Sequence, residues 1–225
     1  MPGSFLNFDE VVKLLVSEIN PNKLLDIGCG NGKYGEMIKS MAPSCHRTGI
    51  EIEPSYVDQF NLNEVYDELR IGDAWSMLRD NHSEFHDLCI IGDCIEHMPK
   101  SVGIDLINYL TYRTGYVIIL APEFAVQGAV NGIDAESHIS VWSERDFTWH
   151  DRWAWDNCFT ISLFLLRGYQ KANVDLSDLV DRVNSSGVMV KDFYGENELR
   201  AVELKMQFSE HIDAINGKNH SFRIR

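Results

Sequence analysis

Asp26-Ile27-Gly28-Cys29-Gly30-Asn31-Gly32 sets an acidic side chain just ahead of three alternating glycines. Glycines at that spacing let a chain turn tightly and press its backbone against a ligand, because side chains there would collide. Further acids follow at intervals: Glu51 in Gly49-Ile50-Glu51-Ile52-Glu53, and Asp73 in Ile71-Gly72-Asp73-Ala74. Asp93, Glu96 and His97 stand in Gly92-Asp93-Cys94-Ile95-Glu96-His97-Met98, Glu123 comes directly after Pro122, and His138 lies in Glu136-Ser137-His138-Ile139-Ser140-Val141-Trp142. Carboxylates accept hydrogen bonds and attract cations, and imidazole is the commonest general base near neutral pH. The set is suited to a ligand that donates hydrogen bonds and to an acceptor that must lose a proton.

Something must hold these residues in place. Asn7-Phe8-Asp9-Glu10 has capping-box form, and Phe8, Val12, Leu15 and Ile19 recur at helical spacing until Asn20-Pro21-Asn22. Short apolar runs then alternate with helical patterns: Leu24–Ile27, Thr48–Ile52, Leu69–Ile71, Leu88–Ile91 and Tyr116–Leu120 have the length of buried strands. After Pro99, Val102, Leu106 and Leu110 form one helical stripe. Strand–helix alternation predicts a doubly wound α/β domain with helices on both faces of a mostly parallel sheet. Every candidate acid except Asp26 then falls at or beyond the carboxyl end of a strand.

From about Gln170 the rhythm changes. Asp175–Val183 reads as a short helix, and Val202, Leu204, Met206 and Phe208 alternate with polar residues as in a half-buried antiparallel strand. Val188–Phe193 is its expected hairpin partner across Gly195-Glu196-Asn197. Residues 169–225 are therefore read as a strand-containing extension serving as an edge cover, dimer contact or substrate lid. Residues 1–168 form the main domain.

Asp-x-Gly-x-Gly-x-Gly at the end of the first strand resembles motif I of the class I S-adenosylmethionine (SAM) dependent methyltransferases. The likeness spans roughly residues 8–168, with Glu51, Asp73-Ala74, the Asp93–His97 run and Val117–Pro122 matching later motifs at strand ends. It implies a Rossmann-like, seven-stranded sheet and SAM as cofactor. It further implies that Asp26, Gly28, Gly30 and Gly32 hold the methionine end, Glu51 the ribose hydroxyls, and Asp73 with Ala74 the adenine, with Asp93 also bordering the cofactor. SAM has a sulfonium and no phosphate, so acceptors rather than a basic cradle suit it. The acceptor side falls to Asp93, His97, Glu123 and His138, with Phe124–Asp134 as a cover.

Composition narrows the partners. With 34 acidic against 20 basic residues the net charge is −14, which argues against nucleic acid. Five cysteines form no Cys-x-x-Cys pair, and Met1-Pro2-Gly3-Ser4-Phe5-Leu6-Asn7 has no secretion-signal pattern, so a cytoplasmic protein without a membrane span is expected. Lys33 stands where a dinucleotide fingerprint needs its third glycine, which disfavours a nicotinamide oxidoreductase. The preferred function is methyl transfer to an oxygen or nitrogen of a small molecule. The alternatives are a metal-dependent hydroxyl methyltransferase acting on RNA 2′-hydroxyls or catechol-like acceptors, and a non-catalytic SAM-binding scaffold. The first would use Glu-x-x-Glu-His plus a later His; here the first acid is the shorter Asp93, so no functional metal is expected at Asp93, Glu96, His97 and His138. Trp142, Trp149, Trp153 and Trp155 are read as packing of a last helix onto the sheet, with stacking on an acceptor as the alternative.

Overall fold

The computed structural model describes residues 4–208. Helix α1 (Asp9–Ile19) buries Val11, Val12, Leu15, Val16 and Ile19, as its periodicity demands. The expected capping box does not form. Asn7 is buried instead, and its side-chain amide donates to the Lys191 carbonyl at 2.8 Å, so it ties the segment before α1 to the C-terminal extension rather than capping the helix.

The chain continues through β1 (Lys23–Ile27), α2 (Lys33–Met41), β2 (His46–Glu51), α3 (Ser55–Gln59), α4 (Leu62–Val65), β3 (Glu68–Ile71) and α5 (Ala74–Leu78). Then follow β4 (His86–Gly92), α6 (Lys100–Thr111), β5 (Thr114–Pro122), β6 (Arg152–Cys158), β7 (Ile161–Arg167), α7 (Leu176–Ser185), β8 (Met189–Lys191), β9 (Glu198–Ala201) and β10 (Lys205–Phe208). The main sheet has the order β10-β6-β7-β5-β4-β1-β2-β3. Strands β1 to β5 are mutually parallel, and β7 runs antiparallel to both β5 and β6.

Alternation along the central strands divides the core in two. On one face Leu88, Ile90, Tyr116, Ile118, Leu120, Leu163 and Leu165 meet α1, α2 and α7. On the other, Cys89, Ile91, Val117, Ile119, Phe164 and Leu166 meet α5 and α6, together with Trp142 and Phe147. Strands covered on both faces must be apolar at every position, which is why they read as continuous runs.

The seven strands expected of the main domain are β1 to β7, and the C-terminal extension adds an eighth to the sheet. The eighth is β10, antiparallel to β6 with Met206 opposite Ala154, and it covers what would be a bare edge. The expected hairpin between Val188–Phe193 and Val202–Phe208 is likewise replaced: β8 pairs with β9, and β10 goes to the main sheet. Val202 and Leu204 are buried in the link between β9 and β10, where the Val202 amide donates to the Val188 carbonyl, so the alternation ran straight through a change of partner. Residues 209–225 of the C-terminal extension lie outside the described residues. The tryptophan-rich segment itself is not an α-helix: Ser143 and Asp146 cap a 3₁₀ turn, Glu144–Phe147, that leads into β6, with Trp142 and Trp153 fully buried and Trp149 exposed. Among the described residues no helix is long and apolar enough to cross a membrane.

Strand order reverses between β1 and β4. In open α/β sheets the loops at such a point splay apart beyond the carboxyl ends of the strands and leave a crevice.

Candidate active site

A cleft of about 260 Å³ opens at that crevice. Its floor is the loop after β1. Gly28 has φ of +68°, and a Cβ added there would lie 2.2 Å from Cys94 Sγ, so only glycine lets this loop pack against the one after β4. The amides of Gly28 and Cys29 both donate to the Ile50 carbonyl. Glu51, 4% exposed, accepts from the Gly30 amide at 2.7 Å and from the Glu53 amide at 2.9 Å, one bond to each carboxylate oxygen. Burial pushes its carboxyl above the ordinary range, against the pull of those amides. Each oxygen keeps a further lone pair for a ligand.

Asp93, just beyond β4, has φ of +47°. Its Oδ2 accepts from the Phe5 amide at 3.0 Å, and Ser4 Oγ donates to the Gly92 carbonyl at 3.1 Å. Lys33 Nζ completes the arrangement, reaching the Phe5 carbonyl at 2.9 Å and Asp9 at 2.6 Å. Ser4 and Phe5 are thereby strapped along one wall. Asp93 Oδ1 and the Tyr34 hydroxyl are enclosed with no hydrogen-bond partner. Burial raises the Asp93 carboxyl to about 6, with Lys33 acting in the opposite direction.

The far wall joins the 3₁₀ turn Ile95–His97 to the long loop after β5. The Ile139 and Ser140 amides donate to the Glu96 carbonyl at 2.9 and 3.0 Å, which brings His138 beside the Glu96 side chain. Glu96 is 1% exposed, and neither carboxylate oxygen has a hydrogen-bond partner. Burial, then the nearby Asp93 charge, holds its carboxyl well above the ordinary range. The His97 and His138 rings lie edge to face with centroids 4.9 Å apart. Burial lowers the His97 pKa. Tyr56, on α3, donates to Glu136 Oε1 at 2.6 Å and latches the long loop across the cleft.

A scan against protein-family models finds no match, and a search of curated proteins finds none. Solved structures do match. A protein of Nostoc punctiforme PCC 73102 described as a candidate O-methyltransferase superposes with a TM-score of 0.54 at 15% identity, over 70% of this chain and 55% of that one. This chain thus corresponds to about half of that protein. A SAM-dependent methyltransferase from Archaeoglobus fulgidus gives a TM-score of 0.52 at 15% identity, over 70% of this chain and 93% of that one. The plantazolicin methyltransferase BpumL, solved with S-adenosylhomocysteine (SAH) and a pentazolic desmethylPZN analog, gives 0.55 at 15% identity over 71% and 84%. The chain has the class I SAM-dependent methyltransferase fold.

Within this methyltransferase fold the residues singled out in the sequence divide into two groups. Gly28, Gly30, Glu51, Asp93, His97 and His138 line the cleft, and Glu96 lines it with them. Asp26, Gly32, Asp73, Ala74 and Glu123 do not. Asp26 is 1% exposed and accepts from the Tyr66 hydroxyl at 2.6 Å, and burial raises its carboxyl to about 7. Gly32 caps α2. Asp73 is the exposed N-cap of α5, accepting from the Ser76 amide at 2.8 Å, and Ala74 begins that helix. Glu123 follows β5, its amide donating to the Thr160 carbonyl. Tyr34, Tyr56 and Glu136 also line the cleft and were not singled out. Tyrosines on short helices carry no motif; Glu136, two residues from His138, was the one within reach of the sequence pattern.

Proposed function

We propose that the chain is a SAM-dependent methyltransferase acting on an oxygen or nitrogen of a small-molecule acceptor. One observation carries the reading: backbone, Glu51 and Asp93 converge in a single cleft at the switch point, offering hydrogen-bond acceptors and no phosphate cradle. SAM supplies an activated methyl on a positively charged sulfur, and its ammonium and ribose hydroxyls need hydrogen-bond acceptors.

The residues present fit that group. Glu51 has one spare lone pair on each oxygen for the two ribose hydroxyls. Asp93 Oδ1, enclosed and unpartnered, suits the methionine ammonium, a role open to it because Asp26 is already engaged by Tyr66. Lys33, the cation that follows the motif loop, is committed to Asp9 and the Phe5 carbonyl and so is not free to hold a phosphate's charge. A hydroxyl or amine sheds a proton on methylation, and Glu96, His97 and His138 stand in the same cleft to act on it. SAH in BpumL and that enzyme's small-molecule ligand support the reading by analogy of fold. All five cysteines are free, which suits a reducing compartment such as the cytoplasm.

Calorimetry tests the proposal. SAM and SAH should bind with measurable heat and NAD should not; NAD binding without SAM or SAH binding would refute it.

A further inference from the structure

Glu96, His97 and His138 present their ligand-type atoms within 4.8 Å of one another. We infer that these three side chains form a binding site for a first-row divalent transition-metal ion, one carboxylate and two imidazoles on the wall of the cleft.

Tautomers decide the matter first. His97 Nδ1 lies 3.1 Å from the Ser137 carbonyl, and His138 Nδ1 lies 3.0 Å from the Ala125 carbonyl. A carbonyl only accepts, so each Nδ1 carries the proton, and in a neutral ring each Nε2 is then a bare lone pair. Both Nε2 atoms face Glu96 Oε1, at 4.0 Å from His97 and 3.8 Å from His138. Three ligand-type atoms thus converge without hydrogen-bonding one another.

A proton alone does not account for this spacing. An imidazolium–carboxylate bond closes to about 2.7–2.9 Å, and here both gaps stay about an ångström wider although Glu96 has no competing partner. A metal bound at ~2.0–2.2 Å to each of three ligands needs them roughly 3–3.5 Å apart, a small contraction from what is observed. The backbone carbonyls on Nδ1 are the outer partners that orient metal-bound histidines. The loop amides on the Glu96 carbonyl fix the spacing between Glu96 and His138.

Chemistry then selects the ion. Two imidazole nitrogens and one oxygen favour manganese, iron, cobalt, nickel or zinc over magnesium and calcium, which prefer all-oxygen shells. Asp93 is not among the three. Its short side chain, the sequence argument against a metal, therefore has no bearing on this set. With three protein ligands on a cleft wall, further coordination positions are left for solvent or an acceptor's hydroxyl. That last role rests on the methyltransferase reading; the ion site does not.

The test needs neither cofactor nor acceptor. Full-length protein stripped with chelator is titrated calorimetrically with Mn²⁺, Co²⁺ and Zn²⁺, each with and without excess Mg²⁺. Visible spectra of the Co²⁺ form report nitrogen ligation. One equivalent should bind, undisplaced by Mg²⁺, and Glu96→Gln and His138→Ala should each weaken it at least 100-fold while keeping the wild-type melting cooperativity. Stripped protein that melts cooperatively but takes up none of the three ions would overturn the inference, as would ion binding unchanged in both variants. Should either variant fail to fold, the wild-type titration and Co²⁺ spectrum alone decide. SAM binding without metal binding refutes the ion site only; metal binding without SAM binding refutes the methyltransferase reading only.

Discussion

Replacing Glu51 by Gln separates a ligand-binding role from a structural one. Both Glu51 oxygens accept backbone amides, from Gly30 at 2.7 Å and Glu53 at 2.9 Å, and the residue is 4% exposed. Gln has the same length but one oxygen and one NH₂, so in either orientation one backbone N–H meets another donor. Losing a charge-assisted bond costs about 1.5–3 kcal/mol. Removing a carboxylate that burial disfavours returns part of it, so stability should fall by only ~1 kcal/mol. A bound ribose meets a harsher change, because one of its two acceptors has become a donor and nothing offsets the loss. SAH affinity should therefore fall by about 1.5–3 kcal/mol, roughly 10- to 150-fold. Calorimetry with SAH gives the first number and urea unfolding the second. The raised carboxyl adds a pH signature: wild-type binding should weaken as pH falls through the elevated Glu51 pKa, and the Gln variant should lack that limb. An SAH affinity within twofold of wild type would refute the ribose role, and equal losses of stability and affinity would reduce Glu51 to a loop brace.

Asp26, raised from 3.8 to about 7 by burial, binds its proton more tightly folded than unfolded, so stability should fall as pH rises across that window. The full cost is on the order of 4 kcal/mol; Asp26→Asn keeps an acceptor for Tyr66 and should flatten the slope in urea melts, and an unchanged slope would count against it. Gly28→Ala puts a methyl group at φ +68° and 2.2 Å from Cys94 Sγ, so SAH affinity should drop at least ~10-fold and stability by about 1–3 kcal/mol. Wild-type SAH binding in that variant would show that the loop does not carry the ligand. Arg200 holds Asp156, 3% exposed, through two bonds of 2.7 and 2.9 Å. Arg200→Ala should cost about 1–3 kcal/mol after allowance for the exposed guanidinium, and Lys should recover only part because it lacks the fork; a loss below ~0.5 kcal/mol in urea unfolding would show that this ion pair does not hold the tail.

The central strands were legible because their burial is two-sided. Leu88–Ile91 and Tyr116–Leu120 read as strands from composition alone, and both are buried at every position. The tail was not legible for the converse reason. Val202 and Leu204 are buried in the link between β9 and β10, Met206 sits in β10, and all share one alternation, so periodicity announced an extended chain without saying which strand receives it. That choice depends on Arg200 finding Asp156, two residues with no sequence relation, and on β6 needing a neighbour.

A parallel division runs through the cleft. Residues fixed by backbone geometry at strand ends, Gly28, Glu51 and Asp93, stand where spacing put them. Asp26, inside β1 one residue before its end, and Asp73, two residues beyond β3, belong to the same motif pattern and yet turn to other tasks, one to the Tyr66 hydroxyl and one to a helix cap. Spacing fixes where a Cα lies along the sheet edge; the direction in which a carboxylate faces depends on the donors around it. Tyr66 reaches Asp26 only because Gly35 and Gly49 leave room for its ring, with added Cβ atoms there falling 2.6 and 2.9 Å from ring carbons. A donor delivered through two distant glycines leaves no mark in the motif around Asp26, so the motif could name that acid and not its partner.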